Sequence, residues 1–279
     1  TLLLAALTRS PWSLVAGSLM AMAARTWLSW RLPGDATPFA WDAACRSEIT
    51  GFSQWIVVSS IIGFAAAQGE KLLLGGLLPA SDFGAYAVAA TLLAALAGVL
   101  SALNAHLVFP MLSSALRTSP RDLQQAYARA QAWADLLLGF VAGASLLAGG
   151  WAVHLLYDAR YASAAWMLQC LALGLLAMRT QVLEQVMFAR GLSAWVSGSN
   201  ALRALALVVA VPWAHAAHGI PGAVAAVAAS QFAGWPLALL FKHRHGLLDW
   251  RREGWFVPAL AAGAATGWCL DALCHLVLN

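Results

Sequence analysis

The sequence predicts an all-α fold, a polytopic integral membrane bundle of about eight transmembrane helices, and three observations lead to this prediction. Hydrophobic residues fill 61% of the 279 positions and charged residues only 10%, with a mean hydropathy of +0.72. A soluble domain carries about 25% charged residues, so most of this surface must face lipid. The apolar runs are long, and basic residues alternate between the connections that join them.

Eight runs match the roughly 20 mostly apolar residues that a membrane-crossing helix needs. In chain order they are 12–30, 52–78, 84–109, 130–156, 162–189, 194–214, 220–241 and 255–278, and residues 1–7 resemble the end of one more. These runs are far longer than barrel strands and do not alternate apolar with polar residues, which excludes a β-barrel reading of them. Proline or glycine falls at most of the run ends, as connections require.

The positive-inside rule orients the predicted helices. Arginine or lysine is found in the connections at 31–51, at 111–129, near 190 and at 242–254, whereas the intervening connections hold one arginine at most. The basic connections are therefore predicted to be cytoplasmic. We interpret the basic segment 242–252 as an interfacial anchor, and Gly139 and Gly143 as a pair with the spacing of a close helix contact.

Ionic and amide side chains within the apolar runs mark the candidate site, because a charge at the bilayer centre costs about 2.5–3.5 kcal/mol on insertion scales. On the second run, Gln68 and Lys71 share a helix face, and Glu70 lies on a different one. Two readings stay open for this group. The side chains line a water-filled pathway, or Glu70 and Lys71 extend to the outer interface.

The fifth run carries the densest set of polar residues. Gln181, Glu184 and Gln185 form one stripe, which either lines a cavity or bonds to neighbouring helices. Arg179 lies nearest the middle of the run, and a guanidinium group suits phosphate oxygens in a bidentate arrangement. Arg179 lies about 140° around the helix from Glu184 by helical geometry, so we do not expect these two residues to pair.

The sixth run adds Asn200 and Arg203, three residues apart on one face. A cavity position and extension to the cytoplasmic interface are both compatible with the depth of Arg203. Asp135 lies near the start of the fourth run, and we interpret it as a solvated end residue.

Several function classes are excluded or disfavoured by what the sequence lacks. It contains no zinc-protease, esterase or phosphate-loop motif, and its four cysteines have no metal-ligand spacing. We expect no catalytic residues, no metal and no cofactor, and thus no enzyme. The net charge of +4 is spread between apolar runs, so we expect no nucleic-acid partner.

Four short stretches occur in an order and spacing that is similar to one transporter family. They read GFSQWI at 51–56 followed by QGEKLLLG at 68–75, FGAYAVA at 83–89, and VFPMLS at 108–113. This pattern resembles the polysaccharide transporters, the lipid-carrier flippases of O-antigen and exopolysaccharide within the multidrug/oligosaccharidyl-lipid/polysaccharide exporter superfamily. The similarity covers most of residues 14–241. Glu70 and Lys71 stand where the family has aspartate and arginine.

The resemblance implies two six-helix lobes around a central cavity. In that register, residues 1–30 are the end of the first lobe and residues 31–50 are the cytoplasmic connection between lobes. Residues 51–242 are the second six-helix lobe, and residues 243–279 are an additional C-terminal transmembrane helix. Most of the first lobe is then expected to lie outside this chain.

The resemblance also implies a function, a multi-pass flippase in the bacterial inner membrane that serves lipopolysaccharide or exopolysaccharide synthesis. Its substrate would be a polyprenyl-diphosphate-linked oligosaccharide, moved across the membrane by alternating access, with membrane lipids and a coupling cation as further partners. Arg179 and Arg203 would bind the diphosphate, and Glu70 the cation. The complete set of expected cavity residues is Gln68, Glu70, Lys71, Arg179, Gln181, Glu184, Gln185, Asn200 and Arg203.

Two alternative functions stay open at this point. One is a drug or peptidoglycan-precursor exporter of the same superfamily. The other is a membrane-embedded glycan polymerase or acyltransferase, which needs a reactive side chain in a large outer loop. The predicted outer connections of this sequence are short, about five residues each, which disfavours the enzyme.

Overall fold

The computed structural model describes residues 12–31 and 43–278. Within these ranges the chain is helical and contains no β-strand, which confirms the all-α prediction there. The predicted end of a further span at 1–7 lies outside the described residues, as do residues 32–42 of the predicted connection. The chain divides into two compact units, Thr1–Phe52 and Ser53–Asn279, and each is treated by itself.

The first unit contains helix α1 (Trp12–Arg31), which covers the first predicted span. The Arg31 guanidinium stacks 4.6 Å from the centre of the Trp27 ring. Helix α2 (Ala43–Leu77) begins in this unit, nine residues before the apolar run at 52–78. Arg46 and Glu48 lie before the apolar run. They are polar but good helix formers, so the helix begins before the run does.

The second unit is a succession of helices joined by short irregular turns. In order they are α3 (Ala80–Leu103), α4 (Phe109–Thr118), α5 (Pro120–Leu156), α6 (Ala164–Ala172), α7 (Thr180–Ala189), α8 (Ser193–Ser230), α9 (Trp235–Arg244), α10 (Trp250–Glu253) and α11 (Phe256–Leu278). A π-helix at Asn104–Val108 joins α3 to α4. Two 3-10 segments, Leu173–Arg179 and Gln231–Gly234, join α6 to α7 and α8 to α9.

Four continuous helical stretches in the described part are long and apolar enough to cross a bilayer. They are Ala80–Thr118, Pro120–Leu156, Ala164–Ala189 and Ser193–Arg244, and a shorter apolar helix covers Phe256–Ala272. With its composition, this makes the chain a helical membrane protein. The last of the four stretches bends at Gly219, so it holds two of the predicted spans. The total of eight spans stays a prediction.

Helix α5 shows how local sequence sets a boundary that hydropathy alone misplaces. The predicted span begins at residue 130, but the helix begins at Pro120. The Ser119 side chain accepts a hydrogen bond of 3.1 Å from the backbone N–H of Asp122, and proline at the first helical position has no N–H to satisfy. This cap starts the helix about three turns before the apolar run.

Two clusters of buried apolar side chains form most of the core of the second unit. The first joins α2, α3, α6 and α8 through residues such as Leu74, Tyr86, Met167 and Val211. The second joins α4, α5, α7 and α9 around Leu112, Leu123, Leu183 and Phe241. The polar side chains of interest lie beside and between these clusters.

Glycines bring α5 and α11 into close contact. A side-chain carbon at Gly139 would lie 2.9 Å from the Cβ of Ala259, and one at Gly143 would overlap the backbone carbonyl of Leu260. Gly263 and Gly267 on α11 show the same crowding against the backbone of α5. The predicted close contact at Gly139 and Gly143 is therefore confirmed, and its partner is α11.

The bend at Gly219 yields a stability prediction. Its φ of 65° and ψ of −149° belong to a region that only glycine occupies readily, so Gly219→Ala is expected to cost about 1–3 kcal/mol of unfolding free energy. Gly98→Ala is the matched control, because Gly98 lies within α3 with nothing near its missing side chain. Thermal unfolding of the detergent-solubilised protein measures both variants. An unchanged midpoint for Gly219→Ala contradicts the prediction.

Candidate functional site

Polar side chains within the second unit form two separate groups. The first, termed the cavity cluster, consists of Glu70, Ser101, Gln181, Arg203 and Gln231. These residues supply most of the polar lining of a cavity of about 310 Å³ between α2, α3, α6, α7 and α8. The rest of the wall is mainly alanine, leucine and glycine. A hollow of this kind within an apolar bundle is suited to a ligand that cannot enter lipid.

Arg203 is the cation of the cavity cluster. Its Nη2 donates to the Thr180 hydroxyl at 2.6 Å and to a Glu184 carboxylate oxygen at 3.4 Å. Its buried Nε–H has no hydrogen-bond partner among the described residues. Because Arg203 lines the cavity and a guanidinium suits anionic oxygens, it is the group that an anionic ligand in the cavity would meet.

Gln181 joins the cavity cluster to a neighbouring helix. Its Oε1 accepts hydrogen bonds from the Ser101 hydroxyl at 3.3 Å and from the Asn104 side-chain amide at 3.2 Å. Gln181 thus lines the cavity and also bonds across helices, so both readings of the polar stripe apply to it. Asn104 opens the π-helix, a form often found at functional positions of helices.

Glu70 and Lys71 take different positions although they are adjacent. Glu70 lines the cavity, where it interacts electrostatically with the fully buried Tyr86 hydroxyl without an ordinary hydrogen bond between them. Lys71 is exposed and does not line the cavity. The cavity reading therefore fits Glu70, and the surface reading fits Lys71.

Three other expected cavity residues lie outside this lining. Gln68, Gln185 and Asn200 are half-buried, and none of them belongs to the wall of the cavity. Glu184 also lies outside the wall, but its contact with Arg203 attaches it to the cavity cluster.

The second polar group, termed the buried ion network, consists of Asp135, Arg179, Lys242 and Glu253. Arg179 is 6% exposed and Asp135 only 1%. The Nε and Nη2 of Arg179 donate to the two Asp135 carboxylate oxygens, each at 2.8 Å. Its Nη1 donates to the Glu253 carbonyl at 3.2 Å, and Nη2 lies 3.1 Å from the Glu253 carboxylate. Each nitrogen of this guanidinium thus has a protein partner.

The network continues to α9 and along α5. Lys242 donates to the Glu253 carboxylate at 2.6 Å, so two cations face two carboxylates. On α5, Tyr127 donates to Gln131 at 3.0 Å and Gln131 donates to Asp135 at 2.8 Å. The network is therefore neutral in sum and joins α5, the middle of the fifth span, α9 and the end of α10.

Three sequence interpretations are corrected by this geometry. Arg179 was expected to share a cavity with Arg203, but its partners are Asp135 and Glu253 and it does not line that cavity. Asp135 is buried and paired, so its interpretation as a solvated end residue is wrong. Lys242 is 5% exposed and paired within the network, so it is no interfacial anchor.

The sequence offered one usable signal for the residues that were missed. Tyr127, Gln131 and Asp135 lie four residues apart along α5, the same spacing that marked the stripe on the fifth run. Glu253 gave no such signal, because it lies in a short polar segment between two apolar runs. Its role depends on contacts with Arg179, 74 residues away in the sequence, and with Lys242 of α9.

Comparison with known proteins bears on the first part of the chain. A family model described as polysaccharide biosynthesis protein matches residues 1–166, more than half of the 279 residues. Neither a search of curated proteins nor one of solved structures finds a match. The match includes the stretches at 51–56, 68–75, 83–89 and 108–113 that resemble the polysaccharide transporters. The chain, a helical membrane protein, therefore belongs to the polysaccharide biosynthesis protein family.

Proposed function

We propose that this chain supplies the second lobe of a flippase that moves a polyprenyl-diphosphate-linked oligosaccharide across the bacterial inner membrane. The observation that carries the proposal is the cavity cluster, in which the cation Arg203 and four other polar side chains line a cavity inside an apolar helical bundle. Family membership supports a role in polysaccharide synthesis or export. The flippase activity, the substrate and the inner-membrane location are the proposal itself.

The physical need for such a cavity follows from the substrate. A diphosphate and its sugars lose their hydration in hydrocarbon, which is prohibitively unfavourable without replacement partners. In the proposal, Arg203 binds a phosphate oxygen, and Ser101, Gln181 and Gln231 bond to sugar hydroxyls. Glu70 is the proposed site for a coupling cation. Arg179 has no place in this scheme, because its donors already bond to Asp135 and Glu253.

The finer architecture belongs to the same proposal. About eight transmembrane helices, six of which form the second lobe, would face the other lobe across the substrate path. Rocking of one lobe against the other would open the cavity to each side in turn, as in transporters built from repeated halves. A transporter is preferred over an enzyme because, among the described residues, the polar lining of the cavity has a single carboxylate and neither histidine nor cysteine.

Arg203 gives the decisive test. In the complete protein encoded by this gene, reconstituted in vesicles with a fluorescent lipid-linked oligosaccharide, Arg203→Ala is expected to lower the flipping rate at least tenfold. Hydrogen bonds to charged groups contribute about 1.5–3 kcal/mol, which is the basis of this figure. Arg203→Lys keeps the charge but not the planar fork, so an intermediate rate is expected.

Arg160→Ala is the matched control, because Arg160 is exposed, pairs with the similarly exposed Asp158 and lies outside the lining of the cavity. It should flip substrate at the unmutated rate. A normal rate for Arg203→Ala would exclude the proposed phosphate contact. Flipping of drugs or peptidoglycan precursors, with none of the lipid-linked oligosaccharide, would favour the alternative exporter.

A further inference from the structure

An apolar groove runs along the outer face of α5 in the second unit, and none of its lining residues belongs to the cavity cluster or to the buried ion network. Its volume is about 700 Å³. The end of α3, the π-helix and the start of α4 form one wall, α5 forms the floor, and Ala259 and Ala262 of α11 complete the other wall. Leu107 and Trp133 line it and are 64% and 74% exposed, so the groove opens to the surroundings of the bundle.

The dimensions of the groove match one leaflet of a bilayer. Its lining on α5 extends from Arg129 to Phe140, a rise of about 16 Å at 1.5 Å per residue. That length is about half of the 30 Å hydrocarbon core. An acyl chain of a phospholipid occupies a single leaflet, so the groove has the length of such a chain.

The basic end of the groove meets a small polar pocket. This pocket measures about 280 Å³ and its lining includes Ser114, Thr118, Asp122 and Gln125. Arg129 and Met111 line both spaces, so the apolar groove and the polar pocket adjoin at these two residues. Together the two spaces form an amphiphilic site, which consists of the apolar groove, the polar pocket and the Arg129 guanidinium where they adjoin.

The charge around the polar pocket favours an anionic headgroup. Residues 111–129 contain three arginines, Arg117, Arg121 and Arg129, against a single acid, Asp122. Arg129 and Asp122 line the pocket, so the excess positive charge lies on the segment around the lining. The hydroxyls of Ser114 and Thr118 donate to backbone carbonyls, which leaves their oxygens as acceptors. A headgroup that brings a phosphate and hydroxyl donors, without an amine, complements this set of partners.

We propose that the groove and pocket bind one anionic phospholipid, of the phosphatidylglycerol type, from the leaflet at the basic end of the helices. One acyl chain lies along the groove, the phosphate contacts Arg129, and the headgroup hydroxyls donate to Ser114 and Thr118. Asn104 lines the groove and donates to Gln181 of the cavity cluster, so the lipid site and the cavity share a wall. The lipid site does not depend on which substrate the cavity takes.

Native mass spectrometry of the complete protein, released from membranes of equal phosphatidylglycerol and phosphatidylcholine content, tests this site. The unmutated protein should retain one phosphatidylglycerol in preference to phosphatidylcholine. Arg129→Gln should weaken that retention about fivefold, the effect of one cation near an anionic surface. Ala262→Phe fills an exposed part of the groove wall and should abolish the retention.

The matched controls are Arg121→Gln and Ala261→Phe, which change residues near the sites of the test variants. Both control variants should retain the lipid. Arg121 and Ala261 are exposed but line neither the groove nor the pocket. Each variant should elute from size exclusion at the position of the unmutated protein, which shows that the variant is folded. If Arg121→Gln lost as much phosphatidylglycerol as Arg129→Gln, the retention would result from the general positive charge and not from a contact with Arg129. If the unmutated protein retained phosphatidylcholine equally well, no specific headgroup contact would exist. Both outcomes overturn the proposal, as does displacement of phosphatidylglycerol by equimolar undecaprenyl phosphate.

Discussion

Arg179→Met is expected to lower the free energy of unfolding by about 3–5 kcal/mol, the usual loss when one partner of a buried ion pair is removed. Methionine fills a similar volume but supplies no donors. Asp135 would keep the hydrogen bond from Gln131, and its charge, 1% exposed, would lose the cation that is hydrogen-bonded to it. Lys242 would still act on this charge electrostatically, but it is paired with Glu253. Glu253 would retain Lys242 but lose two contacts with Arg179.

Thermal unfolding and resistance to proteolysis in detergent measure this loss. The matched control is Arg160→Met, because the Arg160–Asp158 pair has side chains that are 72% and 77% exposed and such pairs contribute about 0–1 kcal/mol. Arg160→Met should leave the unfolding midpoint nearly unchanged. If Arg179→Met is as stable as Arg160→Met, the network does not stabilise the bundle.

A double variant distinguishes the loss of a favourable contact from the presence of an unpaired charge. Asp135→Leu with Arg179→Met replaces the buried pair with apolar groups and leaves the Lys242–Glu253 pair intact. Buried pairs replaced in this way are often neutral or stabilising, so the double variant should recover most of the stability. A double variant as unstable as Arg179→Met would show that the unpaired Asp135 charge is not the cause.

The sequence predicted the helices well because the signal for an apolar helix is local. A run of about 20 apolar residues specifies a helix whatever lies around it. The structure differs mainly at the ends, where α2 and α5 extend beyond the apolar runs into polar sequence. Hydropathy measures where a helix is in lipid, and the helix itself ends only at a cap or a breaker.

The candidate site was predictable only where helical geometry decided the outcome. That geometry placed Glu70 on a different face from Lys71, and the structure has Glu70 in the cavity and Lys71 exposed. Arg179 and Arg203 could not be distinguished by the same reasoning, since both are arginines within apolar runs. Partners 44 and 74 residues away from Arg179 decide its position, and no local pattern reports pairs at such separations.

The largest packing effect is expected from Gly143→Leu, which should detach α11 from α5. A side-chain carbon at Gly143 would overlap the Leu260 carbonyl, and its next neighbours are also backbone atoms of α11. Overpacking usually costs about 1–3 kcal/mol because side chains move aside. A helix backbone cannot move aside without shifting as a whole, so the loss should lie at or above the upper end of that range.

A cleavage assay isolates this contact from the rest of the fold. A specific protease site placed within residues 246–249 allows α11 to be cut from the bundle, and the fraction that remains bound after size exclusion is measured. The unmutated protein should retain the fragment, and so should Gly98→Leu, because Gly98 lies within a helix with open space around it. Gly143→Leu should release most of it, and retention at the unmutated level would contradict the prediction.

Comparison of the two variants shows which interaction holds α11 in place. The buried ion network includes Glu253, which lies just before this helix, and meets the helix at its first residue, where the Arg179 guanidinium lies 5.0 Å from the centre of the Phe256 ring. The glycine contacts extend along the helix from Phe256 to Gly267. Lipid tails are as apolar as the side chains of a neighbouring helix, so the hydrophobic effect does not drive helices together in a bilayer. Helix association there depends mainly on close packing. Gly143→Leu should therefore release the fragment even with the network intact, and Arg179→Met should destabilise the bundle while the glycine contacts still hold the fragment.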